Sequence, residues 1–396
     1  MFVISRRTNM KYIEPLFHLT SVFAIIPPFD FGNNKINYGL KYKILRVLVI
    51  FYITAGFVYG FIEKAYYLQP LIHNTVVVVN YLTFISYFLI NILTVLSGNF
   101  YNFDHLKKLL ETLVGIDKIL HRYHKGKGTD TTTYIKTELF LGFSILFVAI
   151  IFDYILWYRA TDGALQISAI YENTQRIQTH IMMHLICNFI SCIRYRYRDA
   201  NSLLTEIVTK KETSNFNGKL FLNKLKQEYN VRDVIKIYIG LNKMIDCINK
   251  LYGWTLLCLN INIIATLLLS FDFIIEYTSE ANTLREKNGI SFILLMFVWS
   301  LFSLVLGVLL ASLAHSTTLV IQSTSHLSYK LLQYLPCDTM NPLMQEMRED
   351  LVLLSEQMSS RTPSFSAAGF FDIDYTMLFT LLSSITSYLV VLIQFN

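Results

Sequence analysis

The sequence is poor in the residues that soluble proteins place on their surfaces. Only 16% of its 396 residues are charged, whereas about a quarter are charged in an average soluble domain. Prolines number seven and cysteines five, so neither a proline-rich linker protein nor a disulfide-rich secreted scaffold is indicated. The low charge excludes an ordinary soluble domain and indicates a polytopic membrane protein.

The motifs of common enzyme and metal sites are also missing. Gly126–Asp130 has the composition of a phosphate-binding loop but lacks the Walker spacing, and no HExxH or Gly-x-Ser-Gly pattern occurs. His180 and His184 are four residues apart, but no Cys, Asp or Glu stands at ligand spacing beside them. The sequence therefore predicts no enzyme, no metal site and no cofactor.

Long apolar runs are what the sequence has instead. About 20 apolar residues in a helix cross the hydrocarbon core of a bilayer, and seven such runs can be found. The chain is therefore predicted to be all-α, with spans at Lys43–Ile62, Val76–Leu96, Leu139–Trp157, Gln175–Ile193, Trp254–Ile275, Ser291–Leu313 and Thr376–Phe395.

The basic residues are distributed unevenly between the two sides of the predicted membrane. Of the 34 Lys and Arg residues, 28 flank the side that holds the N-terminus and five flank the other. The positive-inside rule then places the N-terminus in the cytoplasm and the C-terminus outside. The net charge of +6 is explained in this way and does not indicate a nucleic-acid partner. A multi-pass protein of the plasma membrane, in contact with its lipid, is expected.

Helical spacing continues into the cytoplasmic segments. The apolar positions from Leu220 onward lead without a break into the fifth span, and the fourth span continues toward Lys211. Below the sixth span, two further helices are predicted at His315–Leu335 and Pro342–Met358. Amphipathic helices need an apolar partner, so we expect a helical platform that anchors the spans and is shared between subunits.

Two carboxylates lie near the outer ends of predicted spans. Asp153 in the third span and Asp272 in the fifth are costly to place in a bilayer. They either reach the interface or pair with Arg159 or Arg176, or they serve a function. With Tyr158 and Glu276 nearby, aromatic and hydrogen-bonding side chains form an expected wall of an outward-facing pocket for a sugar or an alkaloid-like compound. The predicted ligand-binding residues are Asp153, Tyr154, Trp157, Gln178, His180, His184, Asp272 and Trp299.

The seventh span carries a stripe of uncharged polar residues. Thr380, Ser383, Ser384, Ser387 and Gln394 recur at three- and four-residue steps, and Leu378, Leu381, Leu382, Ile385, Leu389 and Leu392 cover the other face. Such a stripe must face protein or water, because lipid offers no hydrogen-bond partner. It is either a contact between helices or the wall of an aqueous pore.

The end of the chain resembles the terminal signature of insect gustatory receptors. Ser387-Tyr388, five apolar residues and Gln394-Phe395 follow the family pattern Thr-Tyr-(five apolar)-Gln-Phe, with Ser in place of Thr, and the run Ser364–Asp374 is similar as well. The resemblance implies a tetramer, of one or several kinds of subunit, around a central pore lined by the last helix. It implies a gate at Gln394 and Phe395, with Tyr388, Ser387 and Ser383 below.

Four regions follow from the spans and the resemblance together. Residues 1–42 form a cytoplasmic N-terminal segment, 43–313 the first six spans with the pocket, 314–373 the cytoplasmic anchor helices, and 374–396 the pore-lining helix. The implied function is a tastant-gated, non-selective cation channel that detects bitter plant compounds. A sugar-gated channel, a metabotropic seven-helix receptor and a small-molecule transporter remain as alternatives.

Overall fold

The all-α architecture is confirmed. The computed structural model describes residues 13–67, 74–123, 132–160, 166–213, 231–278, 285–334 and 362–395, with several residues between 345 and 356. The helices are α1 (Glu14–Val22), α2 (Leu40–Tyr67), α3 (Asn74–Leu96), α4 (Phe103–Tyr123), α5 (Thr132–Ala160), α6 (Gln166–Thr213), α7 (Val231–Thr278), α8 (Arg285–Tyr334) and α9 (Tyr375–Phe395). Two short hairpins, β1 (Phe29–Asp30) with β2 (Lys35–Ile36) and β3 (Ser366–Ala367) with β4 (Phe371–Asp372), are antiparallel.

Five of the described helices are long and apolar enough to cross a membrane, namely α2, α3, α5, α7 and α8. They contain the predicted spans one, two, three, five and six. In α2 only 11% of the apolar stretch is buried by the rest of the chain, compared with 67% in α7. An exposed apolar face on a spanning helix is a lipid or subunit contact, so α2 lies at the periphery of the bundle and α7 at its centre.

The other two predicted spans lie in α6 and α9. The described apolar stretch of α9 runs from Tyr375 to Val391. Helix α6 is more polar than the five, yet almost every residue from Thr179 to Leu204 is buried or half-buried. Its polar side chains face neighbouring helices rather than lipid, which lowers the cost of placing them at the depth of the hydrocarbon.

Helices α6, α7 and α8 each continue well beyond the thickness of a bilayer. They contain 48, 48 and 50 residues, or about 72–75 Å at 1.5 Å per residue. Span six and the helix predicted below it are one continuous helix, because no Pro or Gly interrupts α8 near His315. Residues 214–230 lie outside the described part of the chain, as do several of the residues predicted as the helix Pro342–Met358.

Helix α4 was not predicted, although its pattern is clear in retrospect. Leu106, Leu109, Leu110, Leu113, Ile116 and Leu120 are all buried and recur at helical spacing. They pack against the extramembrane part of α7, where a side chain at Gly240 would meet Ile116 at 3.1 Å. Asp117 of α4 accepts two hydrogen bonds from Arg196 of α6, at 2.7 and 2.8 Å. Because Arg196 is 1% exposed, this bidentate pair joins α4 firmly to α6.

The β3–β4 hairpin fixes the chain just before α9. The side-chain amide of Asn249 on α7 donates to the Ser364 carbonyl (2.9 Å) and accepts from the Ser366 amide (3.0 Å). Gly253, one turn further, allows the hairpin to approach, since a Cβ there would lie 2.9 Å from the Ala368 nitrogen. The backbone of the segment that precedes α9 is therefore attached to α7.

Candidate ligand-binding cavity

Asp153 of α5 lies inside the bundle, with 1% of its surface exposed. Its carboxylate accepts hydrogen bonds from Asn173 (3.0 Å) and from the Trp299 indole (3.3 Å), and it forms an ion pair with Arg176 at 3.2 Å. Arg159, the other partner considered from sequence, is exposed. Pairing with Arg176 therefore accounts for the carboxylate, which bridges α5 to α6 and α8.

Arg176 and its neighbours form a chain of alternating charges. The guanidinium lies 4.1 Å from the centre of the Trp299 ring and 3.7 Å from Glu172. Glu172 also pairs with Lys64, whose ammonium donates to Asn80 at 2.6 Å. Buried charges are tolerated when each one is paired and hydrogen-bonded. These contacts connect α2, α3, α5, α6 and α8 at one end of the bundle.

A small cavity lies directly beside Arg176 and Trp299. Its volume of about 20 Å³ is room for one water molecule. Four helices, α3, α6, α7 and α8, contribute to its wall. The lining residues are Tyr87, Arg176, Thr179, His180, Leu259, Asn262, Ile263, Trp299, Phe302, Ser303 and Leu306.

Several polar atoms around this cavity are buried without a hydrogen-bond partner among the described residues. They are Nε of Arg176, Nδ1 of His180 and the amide nitrogen of Gln178. An unsatisfied buried donor or acceptor costs about 1–3 kcal/mol. A guest molecule that supplied the missing partners would recover that cost, so the wall is chemically suited to a ligand with one or two polar groups.

His180 and His184 form a pair at the α5 side of the cavity. Their Nε2 atoms lie 3.1 Å apart, and the His180 ring packs between Phe143 at 5.3 Å and Phe302 at 5.1 Å. A Cβ at Gly142 would lie 3.5 Å from both Nε2 atoms. Within the described residues, no cluster of three or more His, Cys, Asp or Glu has metal-site geometry.

The predicted ligand-binding residues do not all meet at one place. His180 and Trp299 line the cavity. Asp153 contacts the lining residue Trp299, and His184 contacts the lining residue His180. Gln178 lies on α6 between the lining residues Arg176 and Thr179. Tyr154, Trp157 and Asp272 do not line the cavity, and their assignment to a ligand site stays a prediction. The Tyr154 ring lies beside Tyr158 at 6.3 Å. Trp157 packs against the apolar cluster that contains the cavity residue Trp299, and Asp272 faces the C-terminal helix.

The lining residues absent from the predicted ligand-binding set are Tyr87, Arg176, Thr179, Leu259, Asn262, Ile263, Phe302, Ser303 and Leu306. Helical spacing offers a signal for two of them. Thr179 is three residues after Arg176, and Ser303 is four residues after Trp299, so each shares a face with a residue already singled out. For Tyr87 and Asn262 the signal is weaker, because nothing in the sequence pairs α3 with α7.

Helix α9 packs against the rest of the chain along a narrow face. Met377, Leu381 and Ile385 are buried at steps of four residues. Beyond them, the Tyr388 hydroxyl donates to the carboxylate of Asp272 at 3.4 Å. Leu382, predicted on the same apolar face, is 48% exposed, because it is one residue, or about 100°, away from Leu381.

The hydroxyl stripe of α9 is exposed in the described part of the chain. Thr380, Ser383, Ser384, Ser387 and Gln394 are all exposed. The hydroxyls of Thr380, Ser384 and Ser387 donate to the carbonyl four residues earlier, at 2.9–3.0 Å. Each proton is thereby used within the helix, and the oxygen lone pairs remain available on its surface. The Phe395 side chain lies outside the described part of the chain.

The first turn of α9 is capped by Asp374. Its Oδ1 accepts hydrogen bonds from the backbone amides of Thr376 (2.9 Å) and Met377 (3.1 Å). Partial burial opposes ionisation, but these bonds and the Thr376 hydroxyl together hold the pKa of Asp374 below its ordinary value. An ionised carboxylate at a helix N-terminus is favourable, so the start of α9 is well defined.

Comparisons with known proteins agree with this architecture. Residues 13–396 match the model of the family described as 7tm Chemosensory receptor. The chain is 29% identical over 219 residues to putative gustatory receptor 28a of Drosophila melanogaster, a match that covers 54% of this chain and 44% of that protein.

Two solved structures of the insect olfactory receptor OR5 from Machilis hrabei have the same fold at 14% identity. The structure in complex with eugenol gives a TM-score of 0.61, covering 98% of this chain and all of that one. The structure without eugenol in its description gives 0.64, covering 98% of each chain. On the strength of the family match along nearly its whole length, the chain belongs to the 7tm chemosensory receptor family.

Proposed function

We propose that this protein is one subunit of a tetrameric, tastant-gated, non-selective cation channel that detects bitter plant compounds. The observation that carries the proposal is a pair of links between the cavity and the exposed hydroxyl stripe of α9. Leu306 of α8 lines the cavity, while a Cβ on the next residue, Gly307, would lie 3.8 Å from Leu378 of α9. Helix α7 contributes Asn262 to the cavity and Asp272 to the contact with Tyr388.

The expected mechanism follows from the size of the cavity. Sites for drug-sized molecules have volumes of about 300–1,000 Å³, so a ligand must separate α7 and α8 to enter between them. Both helices contact α9, and their displacement shifts α9 with them. A ligand that fits the widened cavity better than the narrow one favours the conformation in which α9 has moved, and this differential affinity opens the channel.

The surface chemistry of α9 supports permeation by cations. In a tetramer with α9 at the centre, the stripe of Ser383, Ser384 and Ser387 faces the axis and presents oxygen lone pairs, because two of these three hydroxyls already donate to their own helix. Rings of oxygen acceptors favour cations over anions. Gln394 stands at the outer end of this stripe, where four amides, with Phe395, form the proposed gate.

The composition of the cavity favours a bitter compound over a sugar. Its wall is largely apolar, with Leu259, Ile263, Phe302 and Leu306 beside a few polar groups. A sugar needs a hydrogen-bond partner for most of its hydroxyls, whereas an alkaloid-like compound needs aromatic walls and one or two polar contacts. Arg176 and Trp299, held by Asp153, supply both kinds of contact.

The decisive experiment records currents from the protein expressed alone. Outside-out patches without nucleotide in the pipette should show unitary currents with quinine or caffeine but not with sucrose or fructose. These currents should reverse near 0 mV in mixed Na⁺ and K⁺ and be insensitive to replacement of Cl⁻. Responses only to the sugars would favour the sugar-gated alternative. Currents that require GTP would favour a metabotropic receptor, and radiolabelled uptake without unitary currents would favour a transporter.

The membrane orientation needs its own measurement. The basic residues support a plasma-membrane protein with a cytoplasmic N-terminus and an extracellular C-terminus. An epitope added after Asn396 should be stained on intact cells, and one added before Met1 only after permeabilisation. The reverse pattern would contradict the proposed direction of α9.

A further inference from the structure

Two cations at the beginning of α2 have no counter-ion among the described residues. Neither Lys43 nor Arg46 forms an ion pair with a described acidic side chain. Asp104, in the first turn of α4, makes no such pair with them, and Asp30 is occupied by Gly32 and Asn33. Arg46 is only half-exposed, and its Nε has no hydrogen-bond partner among the described residues. A partly buried guanidinium in this state lacks an anion.

The helix dipole makes the placement of these cations more unusual. Lys41, Lys43 and Arg46 occupy the first two turns of α2, and its first turn holds no acidic residue. A helix N-terminus carries a partial positive charge and ordinarily favours anions. Three cations at this position raise the local positive potential instead, so an external anion would be stabilised there by the side chains and the dipole together.

Aromatic side chains hold Arg46 in a fixed orientation. Its guanidinium lies 4.0 Å from the centre of the Phe100 ring and 5.4 Å from that of Tyr38, and the Tyr38 hydroxyl is also hydrogen-bonded to it. Tyr38 in turn donates to the Asn99 carbonyl at 3.2 Å. Lys43 lies 5.8 Å from the same Tyr38 ring. The two cations therefore converge on one aromatic platform, and the guanidinium is arranged before any anion arrives.

The surroundings of this platform indicate which anion it meets. Immediately beyond it, α2 exposes apolar side chains at Ile44 (53%), Val47 (59%) and Phe51 (69%), and α2 is a membrane-spanning helix. Phe100 and Tyr101 are exposed on the neighbouring segment. Cations and aromatic rings next to a lipid-facing helix lie at the level of the phospholipid headgroups.

We infer that Tyr38, Lys43, Arg46 and Phe100 form a binding site for the phosphate headgroup of an anionic membrane phospholipid. The guanidinium provides two N–H groups for a phosphate oxygen pair, Lys43 adds a second positive charge, and the acyl chains lie along the exposed face of α2. None of these four residues lines the proposed ligand cavity, so the two sites are distinct. With the N-terminus in the cytoplasm, it lies in the inner leaflet.

The test measures lipid retention by the purified full-length protein. In native mass spectrometry the protein should retain phosphatidylserine in preference to phosphatidylcholine. The double variant Lys43→Gln, Arg46→Gln should bind phosphatidylserine about thirtyfold more weakly, since each basic residue near the membrane surface contributes about 1 kcal/mol. The matched control is Lys243→Gln, Lys250→Gln, which removes the same charge from exposed positions of α7 and should leave retention unchanged. Equal loss in both double variants, or equal retention of the two lipids by the wild type, would overturn the site.

A competing anion distinguishes a lipid headgroup from a soluble phosphate. Inorganic phosphate at millimolar concentration should not displace phosphatidylserine, since the acyl chains contribute to binding; full displacement would show a soluble-anion site and overturn the lipid assignment. If the double variant fails to fold, two measurements remain. Arg46→Lys should weaken retention of phosphatidylserine, because lysine lacks the planar guanidinium that binds a phosphate through two N–H groups. The wild type should also unfold at a higher temperature in nanodiscs with phosphatidylserine than in nanodiscs of pure phosphatidylcholine. Absence of both effects would contradict the proposal.

Discussion

The hydroxyl of Tyr388 on α9 donates to the buried carboxylate of Asp272 on α7, with 3.4 and 3.5 Å to its two oxygens. This contact lies on the packed side of α9 and joins it to α7 through polar side chains. The distances are long for an O–H···O⁻ hydrogen bond. A modest shift of α9 is therefore enough to break it or to shorten it.

Removing the Tyr388 hydroxyl should change how easily the channel opens. We expect Tyr388→Phe to raise the agonist concentration for half-maximal current about three- to tenfold, since a hydrogen bond of this kind contributes about 0.5–1.5 kcal/mol. Asp272→Asn should act in the same direction, and the double variant should be no worse than either single one, because both remove the same interaction. Tyr329→Phe, at an exposed position of α8, is the control. Additive effects of the two single variants would contradict a direct coupling.

Loss of Arg176 should destabilise the protein strongly. Arg176→Gln leaves the buried Asp153 carboxylate without its counter-ion, which costs about 3–5 kcal/mol. Arg159→Gln removes the same charge from an exposed position nearby and should have little effect. Thermal unfolding of the detergent-purified protein, followed by size-exclusion chromatography, compares the two variants. Adding Asp153→Asn to Arg176→Gln should restore part of the stability, and a double variant as unstable as Arg176→Gln would show that the ion pair is not the cause.

Filling the cavity should abolish ligand responses while the protein still reaches the cell surface. Ser303→Ile adds two methylene-sized groups to a lining position, and overpacking of this size costs about 1–3 kcal/mol. Ser202→Ile, at an exposed position of α6 outside the cavity lining, is the matched control. Agonist-evoked calcium signals and surface biotinylation should separate the two variants. A normal agonist response in Ser303→Ile would show that the ligand binds elsewhere.

The hydroxyl face of α9 should be accessible to water in the assembled channel. Ser383→Cys should react with a charged methanethiosulfonate reagent, faster when agonist is present, and the reaction should reduce the current. Ile385→Cys, on the buried face of the same helix (4% exposed), should not react. Equal reactivity of the two cysteines, or none at Ser383→Cys in the presence of agonist, would contradict a pore along this stripe.

The fold was largely predictable because a membrane imposes simple patterns. A spanning helix needs about 20 apolar residues, and the runs in α2, α3, α5, α7 and α8 meet that need by composition alone. Helix α6 was predicted from a weaker signal, since its polar residues are compensated by neighbours that a sequence does not show. Helix α4 (Phe103–Tyr123) was missed because it is amphipathic. Its charged residues interrupt the apolar ones, so it contains no long apolar run.

The cavity was less predictable than the fold. Trp299 and His180 were identified because aromatic and ionisable residues in a span are unusual. For Asp272 the sequence left an interfacial position, an ion pair and a functional role open, because its hydrogen bond to Tyr388 depends on how α7 and α9 cross. Asn262 was missed for a related reason. Which residues of four different helices meet at one point is decided by helix rotation and depth, and a single sequence contains neither.

The attachment of the β3–β4 hairpin to Asn249 and Gly253 has a mechanical consequence for α9. Because α9 is attached at its N-terminal end, it cannot slide along its axis and can only tilt. Any such tilt displaces the residues near Asp374 hardly at all and the residues near Gln394 the most. A small displacement of the middle of α9 therefore produces a larger displacement at its C-terminal end. The attachment at its N-terminal end determines how far the C-terminal end can move.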